Sequence, residues 1–202
     1  MKKYAHLLVF ILILLLGTSS LSASIIYPLE IFTSNGDFSD SSDIDLFVEL
    51  NSGTSTIDFE FHNESMVDSC IARIYFDDCS LLANPVIIGG TGISFDISAV
   101  PANLPAANLL DPSFQAEFRF DADAPSPHNG INPSEQFTIH YDLINGATFT
   151  DIANTLDEGR LRIGVHVIAL PDGSSEAAVV YIPEPATLLL LGLGAVMVRK
   201  KR

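Results

Sequence analysis

The chain has 202 residues and a formal net charge of −15, and the charges are segregated: Lys2, Lys3, Arg199, Lys200, Lys201 and Arg202 sit at the two ends. Only Arg73, Arg119, Arg160 and Arg162 face the 25 acidic residues, which run from Glu30 to Glu184. A field of that sign repels phosphate backbones and excludes a nucleic-acid partner. A hydrophobic content of 48% with 13 Phe supplies enough apolar surface for one core, which excludes a wholly disordered acidic chain.

The N-terminus reads as an export address. Basic Lys2 and Lys3 precede the apolar run Leu7 to Leu16, and small and polar residues follow up to Ala23. This is the layout of a secretory signal peptide over 1–23, with cleavage expected after Ala23 and with the Sec translocase and signal peptidase as partners. Ten apolar residues make only about 15 Å of helix against a hydrocarbon core of about 30 Å, too short for a stable span.

From residue 24 to 182 apolar residues recur with period two, the pattern of strands with one wet face. A first strand is expected near Ile25 to Phe32. Ile44, Leu46, Val48 and Leu50 then alternate with Asp45, Phe47 and Glu49, and Ile57, Phe59 and Phe61 with Asp58, Glu60 and His62. Cys70, Ala72, Ile74 and Phe76 are expected on one face, with Ile71, Arg73 and Tyr75 on the other. Further strands follow around Ile93 to Ile97, Phe114 to Phe120, Phe137 to Leu143, Leu161 to Val167 and Ala178 to Ile182, about nine in all. The pairs Asn35-Gly36, Gly89-Gly90, Asn129-Gly130, Asn145-Gly146 and Asp172-Gly173 mark turns between them.

Residues 101–113 and 121–134, with Pro125, Pro127 and Pro133, read as loops. One short helix is expected over Phe149 to Gly159, capped by Thr150 or Asp151 and carrying Ile152 and Leu156 on its inner side. The sum is an all-β domain over 24–182, an antiparallel β-sandwich of jelly-roll or immunoglobulin-like kind, with a closed barrel as the alternative.

The C-terminal segment 183–202 has three ordered parts: Pro183-Glu184-Pro185, the uncharged run Ala186 to Val198, and the basic stop Arg199-Lys200-Lys201-Arg202. As a helix the 13 uncharged residues are about 20 Å long, again short of a bilayer, and the basic cluster is set to stay cytoplasmic. These parts resemble the PEP-CTERM sorting signal of exported bacterial proteins. The resemblance implies processing near Pro183 to Pro185 by exosortase, an enzyme of cysteine-protease-like kind embedded in the membrane. It also implies a Gram-negative-type bacterium that makes exopolysaccharide, a precursor held transiently in the inner membrane, and delivery to the cell surface or extracellular matrix. More loosely, Phe61-His62-Asn63-Glu64-Ser65, Ile74-Tyr75-Phe76-Asp77-Asp78, His128-Asn129-Gly130-Ile131-Asn132 and Leu161 to Val167 are similar to the exported domain of some such proteins. That likeness brings no catalytic residue with it.

Within the domain the candidate chemistry is sparse. Cys70 and Cys79 invite a disulfide in an oxidising compartment. An extended 70–76 would hold them roughly 20 Å apart, however, whereas a bridge needs Cα atoms within about 7 Å. Both readings stay open, and no basic neighbour activates either thiol. His62, His140 and His166 share the polar phase of their strands and would meet as metal ligands only if those strands were neighbours. His128 lies in a Pro-rich loop with Asn129 and Asn132, a candidate ligand contact.

Asp37, Asp40, Asp43 and Asp45, then Asp77 with Asp78, and Asp121 with Asp123, are candidates for a structural Ca²⁺, although none has EF-hand spacing. Twenty-five acids make some carboxylate pair at glycosidase spacing inevitable, and there is no nucleophile elbow, phosphate loop or zinc signature. Without Trp, sugar stacking would fall to Tyr27, Tyr75, Tyr141, Tyr181 or Phe47. The expectation is a non-enzymatic surface or matrix protein with no catalytic residue and no obligatory cofactor. A carbohydrate-binding module, assisted by Ca²⁺, is the alternative, and a glycan hydrolase a weaker one.

Overall fold

The computed structural model describes residues 23–39, 42–98 and 102–180. Ten strands form one antiparallel sheet: β1 (Ser24–Ile31), β2 (Leu46–Ser52), β3 (Thr56–Asn63), β4 (Cys70–Asp77), β5 (Leu82–Gly89), β6 (Phe95–Ile97), β7 (Ala116–Ala122), β8 (Glu135–Leu143), β9 (Arg162–Ile168) and β10 (Glu176–Val180). Their order is β5-β8-β3-β2-β1-β10-β9-β4-β7-β6. The sheet turns over at β1, whose first half (24–28) pairs with β2 and whose second half (29–31) pairs with β10. Pro28, which has no N–H to donate, sits at this changeover. The result is two facing layers sharing β1, a sandwich nearly rolled into a barrel, in keeping with the expected all-β antiparallel fold.

Aromatic rings fill the space between the layers. Phe76 on β4 meets Phe59 at 5.1 Å and Phe61 at 6.1 Å, both edge-on from β3, and Tyr141 of β8 at 5.1 Å. Phe95 of β6 meets Phe137 of β8 at 4.5 Å. The strict alternation of β3, with Ile57, Phe59 and Phe61 buried and Asp58, Glu60 and His62 half-exposed, follows from one face packing on this core.

Tyr141 is fully buried, yet its hydroxyl has no hydrogen-bond partner. An unpaired buried hydroxyl costs about 1–3 kcal/mol. Tyr141→Phe, which keeps every ring contact, is therefore expected to raise the thermal midpoint by about 3 °C, since roughly 1 kcal/mol shifts a domain of this size that far. A fall in the midpoint by calorimetry would show that the hydroxyl is bonded after all.

Four sequence expectations need correction. β5 was missing from them: Pro85 interrupts its pattern, Asn84 has φ +50°, and the ladder to β8 shifts register between Ala83 and Val86 and again between Ile87 and Gly89. It is an edge strand and leaves Val86 and Ile88 exposed, so the apolar run Val86-Ile87-Ile88 does not mark a buried face. In β4 the ladder to β9 shifts between Ile71 and Arg73, so Ile71, rather than Ala72, joins Ile74 and Phe76 in the core.

The outer face of β4 is not wet either. Leu104, Ala107 and Phe114, from the loop before β7, cover Tyr75 and Ala177, and a Cβ at Gly164 would meet Leu104 Cδ2 at 2.8 Å. The expected helix spans Phe149–Asp157, with Ile152 and Leu156 buried; its cap is Thr148, which exchanges hydrogen bonds with Asp151. The Pro-rich loops add a 3-10 turn at Ala107–Leu109 and a four-residue helix at Ser126–Asn129.

Candidate functional site

Because β1 and β10 are antiparallel neighbours, the chain enters β1 and leaves β10 at the same end of the sheet. Ala23, the expected cleavage point, is exposed just ahead of β1, and its backbone exchanges hydrogen bonds with Ser52 at 2.9 and 3.0 Å. Pro183, Glu184, Pro185, the apolar run 186–198, the basic stop Arg199 to Arg202, and Tyr181 lie outside the described residues. Among the described residues no helix is long and apolar enough to cross a membrane.

The acidic candidates for Ca²⁺ do not gather. Asp40 lies outside the described residues. The backbone of Asp37 donates to Asp172 Oδ2 at 2.8 Å, while the carbonyls of Asp43 and Asp45 accept from Met66 and Glu64, so 43–45 runs as a backbone ladder beside 64–66. Asp77 is bound by Arg162 and accepts from the Gln115 N–H. Asp121 lies between Arg73 at 3.0 Å and Arg119 at 2.7 Å, and Asp123 accepts from Ser94 Oγ at 2.5 Å. Arg160 pairs with Glu158 at 2.7 Å. All four arginines of the domain are thus spent on carboxylates within it.

The three strand histidines stand apart. His140 pairs through Nδ1 with Asp58 at 2.5 Å. His166 accepts from Arg73 at 3.1 Å, and burial, with the guanidinium beside it, holds its pKa below the ordinary imidazole value. His128 is exposed, while Asn129 and Asn132 are used to shape their own loop. Cys70 and Cys79 are free and buried, one opening β4 and the other two residues past its end. The bridge weighed between them is therefore not formed. Burial, with Glu135 nearby, pushes the Cys70 thiol up to about 11, and burial raises Cys79 as well.

Tyr27, Tyr75 and Tyr141 are core residues and present no face for a sugar. Shallow grooves of about 370 Å³ beside Gly90, Ile93 and Gln136, and of about 310 Å³ beside Asn145, Asn154 and Arg160, carry no aromatic ring.

The segments that resemble exported domains are mostly structural. Asn63 is fully buried; its Nδ2 donates to Ser69 Oγ (3.1 Å) and the Ile131 carbonyl (3.0 Å), and its Oδ1 accepts from the Ser65 N–H (3.2 Å). A Cβ at Gly130 would meet Cys70 Sγ at 2.4 Å, which requires glycine there.

Sequence reasoning missed one constellation. Glu49 on β2 lies directly opposite Glu60 on β3, and His62 stands two residues further along the same face. Their ligand atoms all lie within 4.8 Å of one another, the single group of three such side chains among the described residues. His62 Nε2 is 3.9 Å from Glu49 Oε2 and 3.8 Å from Glu60 Oε1. Phe47, opposite His62, stacks on the imidazole with centroids 4.5 Å apart. The wet phase of both strands and the turn at Ser52-Gly53 were the available signal, once the hairpin register placed residue 49 against 60.

A family model described as the PEP-CTERM protein-sorting motif matches residues 182–202, so the chain carries that motif at its C-terminus. No curated protein and no solved structure matches the chain.

Proposed function

We propose that this chain is a non-enzymatic exported protein whose C-terminal segment is a temporary membrane hold, cut by exosortase near Pro183-Glu184-Pro185 to release the β domain to the cell surface or extracellular matrix of a Gram-negative-type bacterium. The observation that carries this is the sorting motif at 182–202. Its parts suit a short-lived stop: 13 uncharged residues span about 20 Å, and a span shorter than the bilayer pays for mismatch. The fold supports the topology, because both chain ends leave from one end of the β1–β10 pair, so a leader and a tail can meet the same membrane while the body hangs clear of it.

In this reading the folded body is structural, and its association is with exopolysaccharide. No surface arginine is left unpaired for an anionic glycan among the described residues, so contact with an acidic polymer would run through hydroxyls, amides or bridging cations. The test is intact mass spectrometry of the protein recovered from its host, compared with a strain lacking exosortase. The expected masses lack residues 1–23 and the hydrophobic tail in the wild type and retain the tail in the deletion strain. An identical C-terminus in both strains would make the tail an ordinary anchor and defeat the proposal.

A further inference from the structure

We propose that Glu49, Glu60 and His62 form a binding site for a divalent cation of the Zn²⁺ class on the outer face of the first layer. The register sets two carboxylates directly opposite each other on paired strands, an arrangement that is destabilising unless something of opposite charge lies between them. Apart from His62, which stands 3.9 and 3.8 Å from the two carboxylates, no side chain among the described residues supplies it. Arg73, Arg119, Arg160 and Arg162 are held by Asp121, Glu158 and Asp77, and His140 is held by Asp58. The positions beside Glu60 and His62 on β8 are Thr138 and Gln136, and the one beside Glu49 on β1 is Ile26.

The three groups are aimed at a common point. Ser24 Oγ donates to Glu49 Oε1 and Asn51 Nδ2 to Glu60 Oε2 at 3.4 Å, so one oxygen of each carboxylate is engaged and the other faces the imidazole. His62 Nε2 is shielded from solvent and has no hydrogen-bond partner, although its side chain is only 12% exposed and its ring is fixed by the Phe47 stack. Its separations of 3.8 and 3.9 Å from the two oxygens exceed the roughly 2.7–2.9 Å of a charge-assisted hydrogen bond, so the imidazole bonds directly to neither carboxylate.

They suit a cation between the three atoms. Ligands about 2.0–2.2 Å from a tetrahedral ion lie about 3.4 Å apart, so the imidazole would close on the two carboxylates by about half an ångström. The imidazole favours Zn²⁺ over Ca²⁺ or Mg²⁺, and three protein ligands leave a fourth position for water or an incoming oxygen. The engaged oxygens of Glu49 and Glu60 are the outer-shell contacts that hold such ligands in place.

The experiment uses the protein as recovered from its host, without a polyhistidine tag, stripped with EDTA and titrated calorimetrically with Zn²⁺ alone. One Zn²⁺ per chain and a raised thermal midpoint are expected, with Ca²⁺ producing neither. His62→Ala should weaken Zn²⁺ by at least the roughly 10–100-fold that outer-shell losses cause. Glu60→Gln covers the case in which removing the stacked ring prevents folding: it should weaken Zn²⁺ comparably while raising the midpoint of the metal-free protein, because it relieves the facing carboxylates. The proposal is overturned by absent Zn²⁺ binding, by Zn²⁺ affinity unchanged in both variants, or by equal binding of Ca²⁺, which would leave only a diffuse acidic face.

Discussion

Phe76→Ala is expected to remove about 4 kcal/mol of folding free energy, the middle of the range of about 3–5 kcal/mol for truncating a buried Phe. The ring is fully buried and sits where the two layers meet, against Phe59 and Phe61 of β3, Tyr141 of β8 and Phe120 of β7. Two terms add. The apolar area of the ring returns to water, and the four ring neighbours face a void they cannot fill, because they are held on three strands, each by its own ladder. Edge-on aromatic pairs contribute roughly 0.5–1.5 kcal/mol each beyond area, which places this residue above an average core position. Against a total of about 5–15 kcal/mol the loss is severe. In urea it should lower the midpoint by about 2 M for a slope near 2 kcal/mol per M. A loss under about 1.5 kcal/mol would mean that the layers do not close over Phe76 as described.

Strands with one wet face were legible because their alternation is a direct consequence of geometry, and β3 shows it without interruption from Ile57 to His62. β4 was harder. A bulge at Ala72 changes which residues face inward, and a loop from far along the chain covers the other side, so neither face follows from local period. β5 was hidden for a third reason: an edge strand tolerates Pro85 and exposed Val86 and Ile88, the features that argue against a strand. The cap of the helix is Thr148, whose hydroxyl accepts the Asp151 N–H, rather than Thr150 or Asp151.

The site followed the same rule. Pro183-Glu184-Pro185 with its apolar and basic flanks is linear and could be read directly. Glu49, Glu60 and His62 converge through pairing, and only a committed register for the β2–β3 hairpin would have brought them together. The acidic runs Asp37 to Asp45 and Asp121 to Asp123 suggested a cage by proximity in sequence, yet the chain uses them for backbone ladders and arginine pairs.

Glu176→Ala is expected to cost about 3 kcal/mol, because it removes a fully buried carboxylate that is the acceptor for three donors rather than a single contact. Glu176 is fully buried at the start of β10. One carboxylate oxygen accepts the N–H groups of Asn35 (2.8 Å) and Gly36 (2.9 Å), the other accepts the hydroxyl of Thr33, and Thr33 Oγ1 in turn accepts the Ala177 N–H at 2.8 Å. The side chain thus ties the segment after β1 to the strand that leads into the C-terminal motif. Removing it leaves the part-buried N–H groups of Asn35 and Gly36 and the buried Thr33 hydroxyl without their acceptor.

Glu176→Gln is the informative control. Its amide oxygen can still accept from Asn35 and Gly36 while its NH₂ donates to Thr33 Oγ1, so its cost should fall to about 1 kcal/mol, that of exchanging charge-assisted bonds for neutral ones. Equal losses for the two variants would assign the effect to charge rather than to stranded donors. The consequence reaches export: a tail engaged in the membrane pulls on β10 first, and β10 is held to β1 by a short ladder, Leu29 to Val180 through Ile31 to Ala178, plus this lock. In Glu176→Ala the segment 33–39 should become the first site of proteolysis in the native protein, and protection equal to wild type there would show that the ladder alone holds the two ends together.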